Sequence, residues 1–136
     1  MKRLVVLIIS LALPVAAQDG PSMTGEEFRD LAEGYTLHFE DETGRYFGSE
    51  QYLPDAQTIW RPSNGECERG VWAADRGRIC FLYVVGIACW KLYRDGDDVL
   101  ALSANGDDGA IDENPTRLRL KDRNNIPVSC EVVPSV

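Results

Sequence analysis

The chain is short of positive charge, holds a single histidine and contains only one long apolar run. Fourteen basic residues stand against 22 acidic ones, for a formal net charge of -8. A nucleic-acid partner needs a cationic face that displaces counterions, so this deficit argues against that class. His38 is the only histidine and no G-x-S-x-G elbow is present, which leaves a Ser-His-Asp hydrolase without support in the sequence. No pair of cysteines has the close spacing of a zinc or redox motif. Repeats and low-complexity segments are absent. What remains is an ordinary globular balance, 44% apolar and 26% charged, in 136 residues. That composition excludes disordered and collagen-like chains, and the length suits one domain.

The one apolar run lies at the N-terminus. Lys2-Arg3 precede Leu4 to Val15, and the small residues Val15-Ala16-Ala17 lead into the polar Gln18-Asp19-Gly20. A basic start, a short apolar stretch and small residues before a polar one predict a cleaved export signal over residues 1–17. The run is well under the roughly 20 residues that a bilayer requires. Residues 18–22 read as a tether and 23–136 as a single β-rich domain. Cleavage after Ala17 removes two basic residues and no acid, so the exported chain is more acidic still. Such a chain favours a basic partner surface over an anionic one. The expected location is the periplasm or the exterior.

Cys67, Cys80, Cys89 and Cys130 form an even set behind the export signal, which predicts two disulfides. Four cysteines allow three connectivities. Two strands carrying Ile79-Cys80-Phe81 and Ala88-Cys89-Trp90, joined by a turn around Gly86, set Cys80 opposite Cys89. Cys67 then pairs with Cys130. The other two connectivities stay open at this level.

Thr24 and Glu27 spell a capping box and Gly34 a stop, so a short helix lies between them and packs as a lid or plug. From Tyr35 the pattern changes to period two. Strands are expected at Tyr35–Phe39, Arg45–Leu53, Thr58–Trp60, Gly70–Ala73, around Cys80 and Cys89, at Val99–Leu102 and at Arg117–Lys121, with a last edge strand from Val128 to Val133. Turn residues recur about every ten positions, which predicts an antiparallel meander forming a small barrel or open sandwich. Residues 103–116 form a loop rich in Asp, Gly and Asn.

Trp60, Trp72 and Trp90 fall in three separate strands. Inside a small barrel such side chains either fill the interior or line a ligand pocket. On the second reading these three tryptophans are the ligand-binding residues. The acidic loop does not match a calcium-binding EF-hand. Ala110 stands where the turn glycine belongs and Thr116 where the bidentate glutamate belongs. No cofactor, metal site or catalytic residue is expected.

The combination Gly34-Tyr35-Thr36-Leu37, Cys67-Glu68-Arg69-Gly70-Val71-Trp72, Ile79-Cys80-Phe81 and Cys89-Trp90 resembles small exported alphaproteobacterial proteins of families of unknown function. The resemblance spans residues 24–103 and implies a periplasmic β-rich domain without an assigned activity. Gly70-Val71-Trp72 is also similar to the G-x-W of lipocalins, although here it lies mid-chain and not on the first strand. These readings favour a non-enzymatic binding module for a small apolar or aromatic ligand or an envelope partner. The rivals are an inhibitor that presents residues 105–113 to a basic cleft of an exported protease or lysozyme, and a hydrolase that uses His38.

Overall fold

A computed structural model describes residues 20–130. The expected signal segment and the last six residues lie outside that range. One helix, α1 (Gly25–Ala32), precedes eight strands: β1 (Thr36–Asp41), β2 (Tyr46–Tyr52), β3 (Gln57–Pro62), β4 (Glu68–Asp75), β5 (Arg78–Tyr83), β6 (Gly86–Asp95), β7 (Asp98–Ser103) and β8 (Arg117–Asn124). Each strand pairs antiparallel with the next, and β8 pairs with β1 to close the barrel. Closure satisfies the backbone groups that an open sheet would leave bare at its edges.

The expected edge strand at Val128–Val133 does not form over residues 128–130, and its remainder lies beyond the described residues. The reason is the closure itself: with β1 bonded to both β2 and β8, no free edge is left for a ninth strand. The segment runs instead across the outside. Ile126 accepts a hydrogen bond from the Thr36 hydroxyl at 2.7 Å, and Cys130 bonds to Cys67. The second disulfide joins Cys80 to Cys89, which face each other across β5 and β6 with Cα atoms 4.0 Å apart.

The helix starts where the capping box places it. Thr24 accepts from the Glu27 N–H, and the Glu27 carboxylate accepts from the Thr24 N–H. Gly34, at φ 83°, takes the left-handed turn into β1 that a side chain would resist. α1 seals one end of the barrel. Phe28 is wholly buried there and meets Tyr52, Trp72 and Phe81 edge-on, with ring centroids 5.3, 5.0 and 6.1 Å away.

The loop from Ala104 to Thr116 folds back over the outer wall of β5 and β6. Arg78 Nη1 donates to the carbonyls of Ala104 and Gly106, both at 2.6 Å, while Nη2 pairs with Asp75. Asn105 accepts from the Cys89 N–H, so the loop covers the Cys80–Cys89 bridge and both cysteines are buried. At the opposite end from α1, Val84-Val85 makes the turn between β5 and β6. Val84 is fully exposed, and Val71, Leu82 and Ile87, paired in sequence across β4, β5 and β6, present further apolar surface on the outside.

Candidate functional site

The barrel is hollow. Its interior holds a cavity of about 220 Å³, and eight of the thirteen residues around it are aromatic. Phe28, Tyr52 and Phe81 form its floor against the helix, while Phe39, Leu92, Ala101 and Leu118 contribute to its sides. Phe47, Trp60, Tyr83, Ala88 and Trp90 stand toward the other end, where each is only partly buried. The mouth is therefore opposite the helix.

Two glycines make room for the large walls. A Cβ on Gly48 would collide with the Trp60 ring, so the absence of a side chain on β2 lets Trp60 lie flat across it. A Cβ on Gly70 would sit 2.6 Å from the Tyr83 ring and 2.7 Å from the Leu82 carbonyl oxygen. Gly70 lies directly across from Tyr83, and Gly48 lies on the diagonal from Trp60, two positions along the pairing, which is how a pleated surface accommodates an aromatic lying on it.

Of the three tryptophans expected to bind a ligand, Trp60 and Trp90 line the cavity and Trp72 does not. Trp72 sits deeper, buried against the edge of Phe28, and the Arg29 guanidinium of α1 lies 5.4 Å from its ring centre. The helix plug takes up the face that Trp72 would otherwise offer to a ligand.

The cavity contains one polar group that sequence patterning missed. Glu50 points inward from β2 and is almost wholly buried. Its Oε1 accepts a hydrogen bond from the Tyr83 hydroxyl at 2.5 Å. Burial pushes the carboxyl up to about 7, because the charged form loses its hydration; the hydrogen bond from Tyr83 and the nearby Thr58 and Tyr52 hydroxyls oppose that rise in part. Thr58 Oγ1 is buried beside it without a hydrogen-bond partner of its own. Burial and the neighbouring Glu50 charge push the Tyr83 and Tyr52 hydroxyls well above the ordinary phenol range, which keeps both protonated as donors.

His38 lies on the outer wall, as its alternation with Leu37 and Phe39 predicts. It bridges three strands: Nδ1 is 2.6 Å from Ser49 Oγ and Nε2 is 3.0 Å from Asn124 Nδ2. With the Asn124 amide donating to Nε2, the ring carries its proton on Nδ1 and donates to Ser49. The Ser-His-Asn order has the connectivity of a catalytic triad. Ser49, however, is only 3% exposed and its oxygen also meets the Tyr46 hydroxyl at 2.6 Å. The cluster ties β1, β2 and β8 together on the outside of the barrel. In the acidic loop, Asp108 and Asp112 use carboxylate oxygens to accept backbone N–H groups of Ala110 and Asn105. These acids hold the loop's own shape. Among the described residues, no group of three or more His, Cys, Asp or Glu side chains is placed to hold a metal ion.

Fold and site together define a class: a closed eight-stranded meander barrel, plugged by a helix, with an aromatic cavity and one buried carboxyl. Comparison with family models, with curated proteins and with solved structures gives no match.

Proposed function

We propose that the protein is an exported, non-enzymatic binding module that holds a small aromatic or apolar molecule inside its barrel. The observation that supports this most is the hollow interior. Barrels of eight strands are often filled by their own side chains, whereas this one keeps a space of about 220 Å³ behind a partly open mouth. A cavity of about 150 Å³ accommodates a benzene ring, so this space takes a single ring with a short substituent. Export is supported by the N-terminal pattern and by two disulfides, which persist in oxidising compartments. Among the described residues no helix is long and apolar enough to cross a membrane. The likeness to exported alphaproteobacterial proteins belongs with this reading. The likeness to lipocalins is confined to the tripeptide Gly70-Val71-Trp72, and its place on β4 and not on the first strand counts against it.

Native mass spectrometry of protein recovered from its own cells tests both halves. The expected result is a chain beginning at Gln18, lacking four hydrogens for two disulfides and carrying an added small-molecule mass. An intact N-terminus overturns export. A bare mass, together with no thermal shift from small aromatic compounds, overturns the carrier role and favours a protein partner that docks on the acidic loop at residues 105–113.

A further inference from the structure

The cavity offers one acid and several aromatic faces but no base. Glu50 is the only Asp, Glu, Lys, Arg or His among the residues that line it, and none of its neighbours there is a cation. Glu68 adds a second carboxylate nearby. It pairs with Trp60 across β3 and β4, shares the inward alternation of Gly70 and Trp72, and its charge acts on both Glu50 and Tyr83. No ion pair of the described residues involves Glu50 or Glu68. The ring faces of Phe47, Trp60, Tyr83 and Trp90 are electron-rich and attract a cation, most strongly where water is excluded. A buried acid without a protein counter-ion is a costly feature unless something else supplies the charge.

From this arrangement we infer that the ligand is an arylalkylamine, an aromatic ring carrying its amine on a short alkyl chain, its ammonium held by Glu50 and its ring stacked between Trp60 and Trp90. The inference rests on the carrier reading and names the chemistry of its ligand. An anionic ligand is disfavoured because it would face two carboxyls and the negative faces of the rings. A neutral ring fills the space but leaves Glu50 without a counter-ion. Tyr83 keeps the Glu50 carboxylate oriented, because its own proton stays bound.

The groups that face Glu50 set the pH response. Tyr52 on its own strand and Tyr83 on β5 stay protonated, Glu68 on β4 raises Glu50 further by its charge, and Leu37 on β1 and Thr58 and Trp60 on β3 do not titrate. A bound ammonium ion competes with the proton on Glu50. Amine affinity is therefore expected to be level from pH about 7 until the ammonium loses its own proton near pH about 10, and to fall by up to about tenfold per unit below 7.

Calorimetric titration of the intact protein at pH 8 with 2-phenylethylamine, 2-phenylethanol and 3-phenylpropionate tests the inference. The amine is expected to bind about tenfold or more tighter than the alcohol, with the carboxylate weakest. Glu50→Gln keeps the shape of the side chain and is expected to bring the amine's affinity down to that of the alcohol. Binding of the alcohol as tightly as the amine, or an amine preference that survives in Glu50→Gln, overturns the inference and leaves the carrier reading standing. Failure of all three compounds to bind overturns both. A far-ultraviolet spectrum and melting curve of Glu50→Gln confirm that it is folded, and Trp90→Ala, expected to weaken amine and alcohol alike, provides an independent check on where the ring lies.

Discussion

A carboxyl group enclosed by aromatic rings resists ionisation, and Glu50 passes that resistance on to the stability of the barrel. Its ordinary value of 4.5 applies in the unfolded chain and rises to about 7 in the folded one. The folded state thus binds the proton more tightly, and the resulting stabilisation is complete below pH 4.5, declines as pH rises, and is lost above pH about 7. The difference amounts to about 3 kcal/mol. Glu50→Gln has no charge to desolvate, so urea unfolding at pH 8 is expected to show it more stable than the parent by up to that amount. At pH 5 the two should nearly coincide. A gap of equal size at both pH values would assign the effect to packing. The position of Glu50 was not legible in the sequence because Tyr46 and Phe47 are adjacent aromatics. Period two starting from one sends Glu50 inward, and from the other sends it outward. The register shift between Phe39 and Glu40 on β1 resolves the ambiguity: it puts Gly48, Glu50 and Tyr52 on the inner face while Phe47 still reaches the mouth. A pairing irregularity of that kind has no signature in a single strand.

At the scale of elements, the signals that carry local chemistry were readable and those that depend on closure were not. Thr24, Glu27 and Gly34 fix α1 through hydrogen bonds within a few residues. Asp41, Asp95-Gly96 and Gly77 turn the chain by means internal to themselves, so the strands between them fall near their expected positions. Cys80 and Cys89 were legible as a pair because a two-residue turn fixes their register. The fate of Val128 and of Trp72 depends instead on which strand meets which and on what the helix covers. Phe28 gives α1 its structural weight. Phe28→Ala removes a fully buried ring from three aromatic contacts and is expected to cost about 3–5 kcal/mol. Thr24→Ala, which loses only the cap, should cost about 1 kcal/mol. Thermal or urea unfolding of the two variants checks the ranking; if Phe28→Ala is no worse than Thr24→Ala, the helix is an appendage and not a plug.

For the whole molecule, the two disulfides act on very different lengths of chain. Cys67 and Cys130 are 63 residues apart and Cys80 and Cys89 only 9. Loop closure alone then assigns about 4 kcal/mol to the first and about 3 kcal/mol to the second. Replacing Cys67 and Cys130 with alanine is expected to lower stability more than replacing Cys80 and Cys89, as measured by unfolding under non-reducing conditions. The reverse order would mean that the contacts of the covering loop at residues 104–116 outweigh chain entropy. The helix that closes one end also has a kinetic meaning. A vessel with a single opening must fill and empty along the same path, so whatever narrows the rim at Ala88, which offers the guest neither a ring face nor a polar group, slows capture and release by the same factor. Changes there reset how long a guest stays without altering how tightly it is held, and residence time and affinity become separately adjustable properties of one small barrel.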